Sequence, residues 1–181
     1  MVGGRDVIGN GSIVADSITQ TPRGAAMFAD GRTLISDTTS ARIIGRDGRI
    51  RAVPDFTGLL QKPGAAIPFG NDIVIIDQAS ASLVRVKADG SIARLSNDQQ
   101  FRAPTALASL DSKTLVVADP GAATLFLVTV KSDNEVPSVS PLTVNPALVR
   151  PSAVAHRGNQ VLAVVDDADG AVYEVIQGTG R

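Results

Sequence analysis

The chain has no cysteine and no tryptophan, and only one histidine, one tyrosine and five phenylalanines among its 181 residues. Without cysteine there can be no disulfide, no thiolate nucleophile and no Cys-ligated zinc, and the redox compartment leaves no trace. Aromatic residues make up 3% of the chain, so the core must be built from Val, Ile, Leu and Ala. Few rings are left for the stacking platforms on which sugars and single-stranded nucleic acids rest. Neither charge is in excess: 17 basic residues stand against 18 acidic ones, net −1, which argues against nucleic acid as a partner. Long apolar runs are also missing. The greasiest stretch, Thr114 to Val130, is broken by Asp119-Pro120-Gly121 and falls short of the ~20 residues a membrane span needs. The opening Met1-Val2-Gly3-Gly4-Arg5-Asp6 lacks the apolar stretch of a secretory leader. A cytoplasmic protein and an exported one whose leader has been removed both remain open. No segment of useful length has a helical apolar period. What the chain does have is 44% hydrophobic and 19% charged residues, the balance of a sequence that buries a core.

It also has an internal repeat. Four segments begin at a proline and run through a β-rich stretch to an aspartate: Pro22 to Asp37, Pro63 to Asp77, Pro104 to Asp119 and Pro151 to Asp166. These separations are 15, 14, 15 and 15 residues, and successive prolines lie 41, 41 and 47 apart. Two residues after each proline the side chain is minimal (Gly24, Ala65, Ala106, Ala153), and six after each aspartate it is apolar (Ile43, Leu83, Leu125, Val172). Asp47-Gly48 and Asp89-Gly90 then signal hairpin turns, since both residue types tolerate positive φ. Each unit therefore predicts four short strands, A to D. Four strands in every ~40–45 residues is the pattern of β-propeller blades.

The expected fold is all-β: a propeller of about four four-stranded blades in one domain, residues 1–181. The blade units are 22–62, 63–103, 104–150, and 151–181 completed by 5–18. The last proposal rests on phase. Asn10-Gly11-Ser12-Ile13 matches Asp89-Gly90-Ser91-Ile92, the entry to strand D, whereas the unit from Pro151 ends after its strand C. An N-terminal strand closing the last blade would remove an exposed sheet edge. The alternative is a fragment of a six- or seven-bladed propeller. A self-closed chain would be a compact monomer, whereas a dimer would have two half-rings completing one another. The third unit is the irregular one, and Lys131 to Val149, with three prolines, reads as a longer connection between strands C and D.

The first unit carries a family resemblance. Pro22-Arg23-Gly24-Ala25, Asp30-Gly31-Arg32-Thr33-Leu34-Ile35-Ser36-Asp37 and Thr38-Thr39-Ser40-Ala41-Arg42-Ile43 resemble the NHL repeat pattern of Pro-x-Gly-apolar, Asp-Gly, strand, and Asp-Thr-x-Asn-x-Arg-Ile. The usual Asn is Ser40, Ser80, Ala122 or Asp169 here, and the usual Arg remains only as Arg42. The similarity to gluconolactonase-like propellers is looser, and their metal site draws on a glutamate that neither Glu135 nor Glu174 matches. The resemblance implies architecture far more than function, because propellers host many unrelated activities.

Two rings of residues are candidate functional features. Asp37, Asp77, Asp119 and Asp166 fall at equivalent strand-B ends. Four carboxylates could hold a metal, but recurrence in every unit fits the structural role of accepting backbone N–H groups in the B–C turn. Arg23, Lys62, Arg102 and Arg150 sit beside the prolines and would form a cationic collar at the channel mouth, able to hold an anion. The bland alternative is that each simply balances a turn aspartate. Asp166-Asp167-Ala168-Asp169-Gly170 is the densest acidic cluster. Asp167 and Asp169 are weak candidates for Ca²⁺, since the spacing is cramped and no bidentate Glu follows. His156, the one histidine, falls at a strand-A end with no recognisable nucleophile, and no nucleophile-elbow motif or phosphate-cradling glycine loop occurs. The expectation is a non-enzymatic binding or scaffold propeller that needs no cofactor and recognises a protein or small anionic ligand on its channel face. A metal-dependent lactonase or hydrolase is the alternative.

Overall fold

The computed structural model describes residues 21–38, 40–55, 58–132 and 135–176. The strand expected over 5–18 lies outside these residues. Among the described residues there are fifteen strands, and every ladder pairs neighbours in the chain, antiparallel throughout. The first sheet contains β1 (Pro22–Met27), β2 (Thr33–Asp37), β3 (Ser40–Ile44) and β4 (Ile50–Ala52). The second contains β5 (Pro63–Phe69), β6 (Asp72–Asp77), β7 (Ser82–Val86) and β8 (Ile92–Ser96). β9 (Ala106–Ser109), β10 (Thr114–Asp119), β11 (Thr124–Thr129) and β12 (Ser138–Leu142) form the third. β13 (Pro151–His156), β14 (Val161–Asp166) and β15 (Ala171–Ile176) form the fourth, three-stranded among the described residues. Each sheet carries its proline at or just before the first strand and its aspartate at the end of the second.

The segment expected to be one long excursion turns out to hold β12, the outermost strand of its own sheet. Its extra length is divided between a longer turn, 130–137 against 45–49 and 87–91 in the first two sheets, and the loop into the fourth sheet. That loop inserts Leu148 into a core cluster. Prolines 137, 141 and 146 concealed this strand from a propensity reading; Pro141 is accepted because β12 is an edge strand in the described sheet.

The sheets stack face to face, and the period-2 alternation of a strand explains how. In β6, Ile73 and Ile75 point into a cluster shared with Ala26, Leu34 and Ile43 of the first sheet. Val74 and Ile76 point the other way, into a cluster with Leu115, Val117 and Phe126 of the third. β10 repeats the arrangement: Val116 and Ala118 turn to Leu162, Val164 and Val175 of the fourth sheet. The inner strands β1, β5, β9 and β13 follow one another as contacting neighbours, which makes them the strands nearest the axis. Close approach there explains Gly24, one of the minimal residues two after each proline. A Cβ on Gly24 would lie 2.8 Å from the Gly64 carbonyl oxygen of the next sheet, and Ser36 Oγ donates to that same oxygen at 2.6 Å. Phe101 and Phe126 meet edge to face, 5.3 Å between centroids, within the second cluster. None of the three clusters joins the first sheet to the fourth. Among the described residues no helix is long and apolar enough to cross a membrane.

Candidate functional site

The four strand-B aspartates share one environment. All are buried, at 0–4% exposure, and all spend their carboxylates on backbone N–H groups. Asp37 accepts from Thr21 and Thr38 at 2.8 and 2.6 Å. Asp77 accepts from Lys62 N–H and Ser80 N–H at 2.5 and 3.0 Å, and from the Ser80 hydroxyl at 2.7 Å. Asp119 takes Arg102, Ala103 and Ala122 at 2.7–3.0 Å. Asp166 takes Val149, Arg150 and Ala168 at 2.6–3.1 Å. In each sheet one carboxylate thus ties the loop entering strand A to the turn leaving strand B. Burial pushes the Asp166 carboxyl up, but the N–H bonds from Arg150, Val149 and Ala168 outweigh it and hold the group below its ordinary 3.8.

This clamp also positions the basic residues. Lys62, Arg102 and Arg150 donate their own backbone N–H to the aspartate of their sheet, so their side chains emerge at the same edge. Arg23 reaches that edge from within β1. All four are exposed, and because their strands are consecutive neighbours they line one rim of the arc. Their partners differ. Arg150 Nε donates to Asp167, and its terminal nitrogen donates to the Asp167 carbonyl at 3.2 Å. Arg23, Lys62 and Arg102 form no ion pair among the described residues. Their side chains form no ion pair with the strand-B aspartates, whose hydrogen bonds come from backbone N–H groups and, at Asp77, also from the Ser80 hydroxyl.

The acidic cluster at the fourth sheet is internally engaged. Asp167 holds Arg150. Asp169 accepts from the Tyr173 hydroxyl and, at 3.0 Å, from Ala171 N–H. Among the described residues no group of three or more His, Cys, Asp or Glu side chains converges as a metal site would require. His156 is half-buried at the end of β13, opposite Leu162, away from the rim. Arg42 lies in β3 between Ile35 and Ala52, with its Nε buried and, among the described residues, without a hydrogen-bond partner.

A second concavity was not anticipated from the sequence. A cleft of about 970 Å³ opens at the other edge of the sheets, between the first and second, and is lined by Arg32, Arg46, Arg49 and Arg51. Its signal was present in the density of arginines from Arg32 to Arg51. They belong to different strands and turns, however, and only the pairing of β3 with β4 gathers them.

No protein-family model matches the chain, and no curated protein matches it. Solved structures do. A streptogramin B lyase aligns with a TM-score of 0.64 at 14% identity, covering 88% of this chain and 55% of the lyase. A gluconolactonase from Xanthomonas campestris aligns at 0.64 and 19% identity, covering 88% and 63%. The nidogen/laminin complex supplies a match at 0.67 and 16%, covering 94% and 69%. The chain spans little more than half the length of the lyase it matches. Two of these neighbours are enzymes and one is part of a protein complex, so the shared feature is architecture. At 14–19% identity the chain is a partial all-β propeller resembling the gluconolactonase-like ones.

Proposed function

We propose that this protein is a non-enzymatic binding propeller with NHL-like units, which takes an acidic group, on a protein or a small ligand, at the rim formed by Arg23, Lys62, Arg102 and Arg150. One observation carries the reading: among the described residues three of these four exposed cations form no ion pair. The aspartates hold the backbone of the rim in place, and the exposed cationic side chains can turn to an acidic ligand. The match to a nidogen/laminin complex lends support to a protein as the occupant.

The test compares the wild type with R23A/K62A/R102A/R150A, using citrate and poly-glutamate as probes. Saturable binding to the wild type that falls at least about tenfold in the variant supports the rim, since removing a single charge-assisted hydrogen bond weakens binding by roughly a factor of ten. Equal affinity in a variant that melts like the wild type would refute it. In this reading residues 1–181 form one domain, closed by the strand over 5–18 or by a second copy. Sedimentation distinguishes these, as a compact monomer or a dimer.

A second reading is favoured by the neighbours alone, a lyase and a gluconolactonase: a metal-dependent hydrolase acting on a lactone. Asp167 and Asp169 would have to release Arg150 and Tyr173 to serve a Ca²⁺ ion. A thermal shift on adding Ca²⁺ or Zn²⁺, together with turnover of a gluconolactone, would establish it. If both effects are absent, the binding reading stands.

A further inference from the structure

The cleft between the first and second sheets is built from three Asp-Gly turns. In each, the aspartate accepts the N–H two residues on: Asp30 from Arg32 at 3.0 Å, Asp47 from Arg49 at 3.0 Å, and Asp89 from Ser91 at 2.8 Å. The backbone bond from Arg32 lowers the Asp30 carboxyl and outweighs its desolvation. The Ser91 side chain and N–H do the same for Asp89. Asp30 and Asp89 are thus held in their ionised forms, and all three aspartates are engaged with their own turns.

The arginines fall into two classes. Arg32 is held rigidly: its Nε donates to Asp30 at 2.7 Å, its terminal nitrogen donates to the Ala88 carbonyl at 2.5 Å across the sheet boundary, and its guanidinium lies 4.9 Å from the centre of the Phe28 ring. Arg49 leans on Asp47 at 3.5 Å. Arg46 and Arg51 make no ion pair among the described residues, and both line the cleft. Between them the floor is apolar, formed by Ile43, Ala52, Pro54 and Ile92. The volume, about 970 Å³, is in the range of small-molecule sites, which are typically ~300–1,000 Å³.

We infer that this cleft binds a small organic anion, a carboxylate or phosphate monoester carried on an apolar body. The anionic end would sit between Arg46 and Arg51, and the body would cover Ile43, Pro54 and Ile92. The fixed Arg32–Asp30 pair forms one wall and joins the two sheets, so the cleft exists before the ligand arrives. Two guanidinium groups give the directed hydrogen bonds that an oxyanion selects, while the apolar floor selects against inorganic ions. The cleft lies at the edge of the β1–β2, β3–β4 and β7–β8 turns, whereas the Arg23–Arg150 rim lies at the opposite edge. The two sites can therefore stand or fall separately.

The test is an amide chemical-shift titration with phenyl phosphate, benzoate, inorganic phosphate and benzyl alcohol. At least one of the two aromatic anions should saturate and move the amides of residues 45–51 and 89–92. The preferred one identifies phosphate or carboxylate as the natural head group. Inorganic phosphate and benzyl alcohol, each lacking one half of the recognition, should bind at least about tenfold more weakly. R46A/R51A should retain the folded spectrum, because both side chains are exposed, and lose about ten- to a hundredfold in affinity. K113A, an exposed cation outside both sites, should bind like the wild type. The inference is overturned if neither aromatic anion saturates, if the shifts map only to the Arg23–Arg150 rim, or if R46A/R51A binds with unchanged affinity.

Discussion

The second and third sheets differ from the first and fourth although all four share a sequence pattern. In β6 every residue is buried, and in β10 all but Thr114. In β2 and β14 buried residues alternate with half-buried or exposed ones. Val165, Val172 and Ile176 on the fourth sheet are 37, 69 and 73% exposed, and Met27 on the first is 59% exposed. The middle sheets are covered on both faces by neighbours, whereas the described parts of the outer sheets are covered on one. A strand's hydrophobicity therefore does not tell how much it contributes; the number of neighbours does. The sharpest way to break this comparison is to remove equal amounts of side chain from both places. Ile75→Ala, fully buried, should cost about 2–5 kcal/mol through lost transfer energy and a residual cavity. Ile176→Ala, at a position 73% exposed, should cost under ~0.5 kcal/mol, the usual range for a surface change. Denaturant titration measures both, and equal losses would show that the open face of the fourth sheet is covered in solution.

The aspartate clamps come next in size. Asp119→Ala in a middle sheet strands three N–H groups beside a buried position, at an expected cost of about 2–4 kcal/mol. Asp166→Ala in an outer sheet removes a similar set, and since Val149 and Arg150 are exposed just as Arg102 and Ala103 are, its cost should be comparable. Asp166 also sets a pH response. Its folded pKa lies below the ordinary value, so its contribution is complete at pH values above the unfolded pKa and disappears as pH falls through the lower folded one. Stability should therefore decline below about pH 4. Asp166→Asn should flatten that decline, as read from the melting temperature between pH 3 and 6.

The blade count, strand order and A-strand crowding were legible because they repeat. The Pro-to-Asp spacing places every strand B, and the minimal residue after each proline marks the approach to the axis. Gly24 tests that crowding at the boundary between an outer and a middle sheet. Gly24→Ala would bring a methyl to 2.8 Å from a backbone oxygen that cannot retreat, at an expected cost of about 1–3 kcal/mol. A neutral result in calorimetry would mean that the first sheet can slide away from the second. What the sequence hid was whatever depends on packing between units. Strand β12 was obscured by prolines tolerated at an edge. The cleft arginines were dispersed over elements that only the fold brings together. That Arg23, Lys62 and Arg102 form no ion pair among the described residues depends on where the fold places side chains, which no spacing reveals.

The smallest effect concerns a position four residues after each strand-B aspartate. In the middle sheets it is Ala81 and Ala123, with φ of 47° and 53°; in the fourth it is Gly170, with φ of 67°. An L-residue in that left-handed region costs roughly 1–2 kcal/mol, which glycine avoids. Glycine returns part of this through the greater freedom of its unfolded chain, roughly 0.4–1 kcal/mol. Ala123 is exposed, so nothing else is lost, and Ala123→Gly should stabilise by about 0.5–1 kcal/mol. Ala81 packs against the second core cluster. Losing its methyl offsets the relief, so Ala81→Gly should come out near zero. Gly170→Ala should destabilise the fourth sheet by about what Ala123→Gly gains in the third. If Ala123→Gly instead destabilises, the strained turn is being held by the packing of that methyl, and the middle sheets are tighter there than their exposure indicates.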